Sequence, residues 1–395
     1  MLAWRQWVLQ TTRRDLQGWL TGRGLLFLVA VLWVLWSGNA VVWGQTASAG
    51  REDPHPSRSP SRKIHWSLYA QIRYTGRERA EDLYALRRLK LMIGGRVSEG
   101  VRYYVQGIFK EGNKSHTDGR AYLQEAWVEF TRWQHARIRI GQFKPPFGME
   151  RFTSDARIYT IDRSQATDHL IPNGGLGKSF TRDRGLQLAG RAMDGRLAYA
   201  WGVFDGRGAN HRFHGIGPLI ATRITYEVIR HRQLAGRPVT VRLGGALATR
   251  RARDVDFRGC CPDRRGLELR HFRGRDTRVG LELAGDWGGT SLRAEYLQAH
   301  LDFRQPAERD FTASGYYVQV GQFLTSRIQA VIKFEQFDPN RLVLNNKDLR
   351  WTTVGINYYI KGDRVKVMAD YVFRRERAMA VPNDAFMIQF QFFVH

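Results

Sequence analysis

Basic side chains recur at every second position along several stretches of this chain. Arg88 and Lys90 do so, as do Arg102 with Lys110 further along, and Arg137 with Arg139. A guanidinium offers a planar fork of N–H donors that meets an oxyanion with two parallel hydrogen bonds; an ammonium is a compact point charge. Residues two apart on an extended strand share a face, so this spacing lines one face of a sheet with cations. The same phase continues through Arg73, Arg96, Arg191, Arg223, Arg242, Arg293, Lys333 and Lys366. Its acidic members are Glu125, Glu129, Glu282, Glu295, Glu335 and Asp370, giving fourteen basic residues against six acidic. The chemistry this suits is reversible contact with small anions. For any single arginine the plainer role is a brace paired with a carboxylate; the excess as a whole is what points to anions. Ser154 and His169 are the one pair that could be offered for nucleophilic chemistry, and no nucleophile-elbow or metal-ligand spacing supports it. The chain therefore reads as a non-enzyme with no metal and no cofactor.

The elements that carry these residues alternate with period two. Ile64, Trp66, Leu68, Ala70, Ile72 and Tyr74 form an apolar phase against His65, Ser67, Tyr69, Gln71 and Arg73. Leu89, Leu91, Ile93 and Val97 stand likewise against Arg88, Lys90, Met92 and Arg96. Further segments cover 101–110, 122–130, 136–141, 185–191, 197–204, 220–228, 239–248, 279–283, 291–299, 316–324, 329–337, 351–360, 365–372 and 385–394. That makes sixteen strands and almost no helical periodicity. Strands of about ten residues, one phase apolar and the other polar, fit a barrel with lipid outside and water inside. The expected fold is all-β: a 16-stranded antiparallel transmembrane β-barrel. The final strand, Phe386 to Val394, carries Phe386, Phe390 and Phe392, as the last strand of outer-membrane barrels does. About forty residues separate the strands ending at Gly141 and starting at Gly185; they include Arg151, Arg157, Arg163 and Lys178. A connection that long is expected to be functional, folding inward to narrow the lumen. Residues 249–278, dense in arginine and aspartate, read as an exposed outer loop that meets anions, lipopolysaccharide or only solvent.

The N-terminal part is of another kind. Arg5, Arg13, Arg14 and Arg23 precede an unbroken apolar run from Gly24 to Trp36, followed by Ala47-Ser48-Ala49. This is the order of a secretory signal peptide over 1–49, with a retained membrane anchor as the alternative. Residues 50–62, rich in Pro, Ser and charge, read as a flexible leader, and 63–395 as the barrel. Across 395 residues there are 62 Lys and Arg against 37 Asp and Glu, a net charge of +25, and only ten of the 62 are lysine. A basic excess on this scale favours an anionic partner. Nucleic acid is disfavoured because the cations alternate along strands instead of forming a patch with stacking aromatics. Cys260 and Cys261 are the only cysteines, and adjacent residues cannot build a disulfide framework or a four-ligand metal site.

The stretch Arg137–Glu150, RIRIGQFKPPFGME, with LQEAWVE at 123–129, GYYVQ at 315–319 and GINYY at 355–359, resembles the phosphate-selective porins O and P. The resemblance spans most of 63–395. It implies a homotrimer of sixteen-stranded barrels with an in-folded third loop, an arginine-lined path for phosphate or other small anions, and a place in the outer membrane of a Gram-negative-type bacterium, in contact with lipid and lipopolysaccharide. Carried over residue by residue, the implied anion-binding constriction is Arg87 and Arg88 on an early strand with Arg151, Ser154 and Arg163 in the loop. Lys90, Arg102, Lys110, Arg137, Arg139, Arg191, Arg223, Arg242 and Arg293 would line the pore around it. Asp155 stands where the phosphate-specific members have a second serine, and puts a carboxylate beside the site. A non-selective general porin and a plugged structural or adhesion barrel remain open as alternatives.

Overall fold

The structure, a computed structural model, describes residues 64–111, 121–133, 135–171, 182–210, 217–257, 269–304 and 310–394. The expected signal and leader over 1–62, and Cys260 and Cys261, lie outside the described residues. Sixteen strands are present in the order β1 (His65–Arg77), β2 (Ala80–Ser98), β3 (Val101–Glu111), β4 (Tyr122–Phe130), β5 (Arg137–Phe143), β6 (Asp183–Ala192), β7 (Leu197–Phe204) and β8 (Leu219–Leu234). They continue as β9 (Arg237–Phe257), β10 (Leu269–Trp287), β11 (Thr290–Phe303), β12 (Phe311–Phe323), β13 (Ile328–Asp338), β14 (Leu349–Tyr359), β15 (Val365–Glu376) and β16 (Ala385–Val394). Each strand pairs antiparallel with the next, and β1 pairs with β16 to close the barrel, with Arg73 opposite Gln389. Closure leaves no unpaired edge, which is the condition for crossing lipid with strands.

The alternation is realised as an apolar outer surface and a polar lumen. Leu281 is 58% exposed while its neighbour Glu282 is 6% exposed. Ile72, Ile140, Ile224 and Ile356 are likewise exposed on the outside. At one end the connections are two to six residues long, from Glu99-Gly100 to 131–136. Two of the two-residue connections, Ala235-Gly236 and Gly288-Gly289, have positive φ at both positions, as a two-residue hairpin requires. The other end carries the long connections, up to residues 144–182 between β5 and β6.

Two sequence expectations need correction. Residues 249–278 are mostly ladder: β9 runs to Phe257 and β10 starts at Leu269, with Thr249 opposite Thr277 and Arg250 opposite Asp276. A membrane strand needs only about ten residues, so strands of 21 and 19 residues extend past the bilayer, where lipid no longer demands an apolar phase. The inward phase is also not polar throughout. On β9 to β13 it carries Ala246, Ala248, Leu297, Ala299, Leu301, Ala313 and Phe337, all buried.

That apolar strip receives the long connection. Residues 144–171 include two short helices, α1 (Met149–Phe152) and α2 (Gln165–Leu170). Phe147, Ala166, Leu170 and Ile171 pack into one cluster with Leu297, Ala299, Ala313 and Phe337. A Cβ built on Gly315 would lie 2.9 Å from the Ala166 Cβ, so the wall is reduced to glycine where α2 docks. Gly148 has φ +85°, and a Cβ there would lie 2.6 Å from the Ile171 Cδ1. Polar contacts run the full length of the segment. Glu295 accepts the N–H of Met149 at 2.7 Å and of Glu150 at 3.1 Å. Glu335 accepts from Gln165 N at 2.6 Å, and Asp370 from Ile161 N at 2.6 Å. Asn357, Lys366, Gln391 and Arg278 donate to the carbonyls of Tyr159, Ile158, Ala156 and Ile171. Ser164 caps α2 through Thr167 N. The segment is therefore fastened to inward-facing side chains of β10, β11 and β13 to β16.

Leu170 is fully buried in this contact. Leu170→Ala should weaken docking by about 2–5 kcal/mol. Trypsin should then cut folded barrel at Arg157 or Arg163 several times faster, while the heat-modifiable band on a gel is retained. Unchanged cleavage would show that the apolar strip does not hold the segment.

Candidate functional site

The site begins with two β-bulges. On β2, Gln71 pairs with Arg88 and Ile72 with Leu86, so Arg87 is an extra residue. Tyr84 and Leu86 face outward at 78% and 39% exposure; Arg88 and Lys90 face inward and are buried. Alternation counted from either flank therefore places both Arg87 and Arg88 on the inner side. A bulge re-aims side chains in this way. On β4, Gln106 pairs with Glu125 and Gly107 with Leu123, leaving Gln124 extra. Gln124 and Glu125 are both buried. Gln142 donates to the carbonyls of Leu123 and Gln124, the backbone groups displaced by that bulge.

Between this wall and the long connection lies a polar cavity open to solvent. Six cations line it, Arg88, Lys90, Lys144, Arg151, Arg163 and Arg182, with two carboxylates, Asp155 and Asp168. Ser154, Tyr69, Tyr104, Gln106 and Gln124 supply neutral donors and acceptors. Four of the five residues expected at the constriction, Arg88, Arg151, Ser154 and Arg163, meet here. Arg87 does not line the cavity. Its charge acts with those of Arg73 and Arg88 on Asp162, whose Oδ1 lies 2.9 Å from Arg73 Nη1. Arg163 is partly committed inside the loop, donating to the carbonyls of Glu150 and Thr153. Arg182 was not among the expected site residues, and Lys144 was expected only as one of the basic residues of the long connection. They flank the stem pair Phe143–Asp183, where the loop leaves and re-enters the wall; the meeting of loop ends on paired strands is the signal that finds Arg182.

Asp155 sits among the cations. Its Oδ1 accepts from Arg163 Nη2 at 2.8 Å, its Oδ2 accepts from Lys90, and Arg88 Nε lies 3.7 Å from the same oxygen. Burial pushes the Asp155 carboxyl up, but Arg88, Lys90 and Arg163 outweigh it and hold it well below the usual carboxylate range.

The residues expected to line the rest of the pore divide by role. Arg139 donates twice to Glu129, at 3.0 and 2.7 Å, and stacks 4.2 Å over the Trp127 ring. Arg223 grips Glu282 at 2.8 and 2.7 Å. Arg293 grips Asp286 at 2.8 and 3.1 Å and reaches the Tyr159 hydroxyl. These three are braces. Arg102 lies between Arg96 and Glu129 in the ladder, and Arg242 between Glu227 and Ala284. Arg137 faces inward beside them, and Arg191 is exposed at the short-turn end. The Lys110 side chain lies outside the described residues. Among the described residues no group of three His, Cys, Asp or Glu side chains could hold a metal.

The family model of the phosphate-selective porins O and P matches residues 61–211 and 267–393. The chain belongs to that family. Porin O of Pseudomonas aeruginosa is 25% identical over 322 residues, 76% of this chain and 70% of the relative. An uncharacterised protein of Aquifex aeolicus is 21% identical over 286 residues, 65% of this chain and 64% of its own. In fold the chain is similar to an anion-selective porin from Comamonas acidovorans, with a TM-score of 0.57 and 11% identity over 84% of this chain and 99% of that one. It is also similar to the trimer form of OmpT from Vibrio cholerae, with a TM-score of 0.55 and 12% identity over 84% and 99%. This porin is thus an outer-membrane channel and not an enzyme.

A carboxyl with a depressed folded value stabilises its surroundings fully above the unfolded value, about 3.9 for Asp, and loses that effect as pH falls through the folded value. Loop attachment through Asp155 should therefore be equal at pH 7 and pH 5 and fail only in stronger acid. Hydrogen exchange of the 154–157 turn at pH 7, 5 and 3 checks this; release of that turn already at pH 5 would contradict it.

Proposed function

We propose that this porin passes small anions, with phosphate or a related oxyanion as its favoured solute, by diffusion through an arginine-lined lumen. The observation that carries the reading is the cavity of six cations against two carboxylates. The wall sharpens this excess. Glu295, Glu335 and Asp370 accept loop N–H groups, while Glu129 and Glu282 are gripped by Arg139 and Arg223. Five of the six inward acids are thereby engaged at the wall. The sixth, Glu125, accepts from Arg182 Nε at 2.9 Å and so pairs one of the cavity's own cations, leaving the other five as the excess. A low-dielectric wall concentrates what remains into a positive potential. Rings of Arg and Lys select anions when binding is strong enough to attract and weak enough to release. The family name and the anion-selective porin of similar fold support the same solute class. A homotrimer set in lipid and lipopolysaccharide goes with the reading, since a porin of similar fold is described in trimer form. So does export with residues 1–49 removed and 50–62 as a leader to the barrel; N-terminal sequencing of the mature protein should start near residue 50.

A general porin is the second reading. Its support is the pairing of Arg139, Arg223 and Arg293 with carboxylates. Planar-bilayer recording of the mature chain under a KCl gradient separates the two. The anion reading expects a reversal potential favouring chloride and block of chloride current by millimolar or lower phosphate. Arg151→Ala should raise the half-blocking phosphate concentration about tenfold, the effect of losing one charge-assisted hydrogen bond of roughly 1.4 kcal/mol. A reversal potential near zero, with no block, would favour the general porin.

A further inference from the structure

The central carboxylate of the cavity has no counterpart in the resemblance and no evident task in conduction. Asp155 projects from a turn in which Arg157 N donates to Ser154 O at 2.9 Å. Its two oxygens collect three cations: Arg163 on Oδ1, Lys90 and Arg88 on Oδ2. Two of these cations stand on the barrel wall and one on the loop. A carboxylate with two oxygens shared among three buried cations is the arrangement that a phosphate's oxygens would also take. Buried charges need partners in either case, and Arg88, Lys90 and Arg163 are each more than nine-tenths buried. Without a solute, and without Asp155, these cations would repel one another across the cavity. Asp155 removes that repulsion and at the same time occupies the donors that an incoming oxyanion needs. Lys144, Arg151 and Ser154 line the same cavity, as does Arg182, whose Nε donates to Glu125 at 2.9 Å.

From this geometry we infer that Asp155 is a built-in counter-ion that competes with the solute for Arg88, Lys90 and Arg163, and so sets how weakly the channel holds an oxyanion. The inference rests on the anion-channel reading and names the residue that limits affinity there. Exchange of one anion for another at the same donors keeps the cations paired throughout. Passage then never strands a naked charge, and release is assisted by the returning carboxylate.

The test compares wild type with Asp155→Asn, Asp155→Ser and Asp155→Glu in planar bilayers, with inorganic phosphate as the probe and the heat-modifiable gel band as the check of folding. Asp155→Asn should lower the half-blocking phosphate concentration at least tenfold and move the reversal potential further toward chloride. Asp155→Ser should do the same; it serves as the second variant if the asparagine form folds poorly. Asp155→Glu, which keeps the charge, should stay within about threefold of wild type. A neutral variant whose block is unchanged or weaker would overturn the inference and make Asp155 a positioning residue for Arg88 and Lys90. The two readings fail separately. A wild-type channel without anion preference defeats the anion-channel reading, whereas the inference stands or falls on the shift between wild type and the neutral variants, which the reversal potential reports in either case.

Discussion

An irregular stretch of backbone can lie inside a barrel only if its N–H and C=O groups find partners there. In this porin the partners are side chains of the wall. Carboxylates of Glu295, Glu335 and Asp370 take the N–H groups; Asn357, Lys366, Gln391 and Arg278 take the carbonyls. The fastening has an electrostatic result. Acids that face the lumen in the strand pattern are withdrawn beneath the loop, and the cations on the β1 to β4 side are left facing the cavity. Loop attachment and the positive character of the cavity are thus one arrangement seen from two sides.

The same economy shows in the braces. Arg139, Arg223 and Arg293 each close on a single carboxylate, Arg223 through two parallel N–H···O bonds, and each also lies over an aromatic ring, of Trp127, Phe152 and Tyr159 respectively. Such pairs stiffen the wall and contribute little net field. The cavity is different because its cations outnumber its acids and come from three sources: the bulged strand β2, the loop, and the stem where the loop departs.

Strand number and phase were legible in the sequence because lipid imposes one rule on every outward residue: Ile140 or Leu281 must be apolar whatever its neighbours are. Past the bilayer the rule lapses, and the charged ends of β9 and β10 have the composition of a loop. The apolar inward strip around Leu297, Ala299 and Ala313 was hidden for a related reason. Its partner is Leu170 from a distant segment, and local alternation carries no record of a long-range contact. Arg88, Arg151, Ser154 and Arg163 are legible through the resemblance of the Arg137–Glu150 region and Lys144 through its place in the long connection; Arg182 needs the pairing of β5 with β6. The bulges at Arg87 and Gln124 have no compositional mark, since one extra residue in a strand looks like any other.

Those bulges bear on how such a channel can change over generations. Removing Arg87 would leave Leu86 outward and Arg88 inward in unbroken alternation, and removing Gln124 would do the same between Leu123 and Glu125. At such places a single codon can be gained or lost without turning a strand inside out. In an unbroken ladder a one-residue insertion would carry a row of cations into lipid. Lineages of such barrels therefore have, beside substitution, a second route for altering what lines the lumen, and it opens next to the cavity.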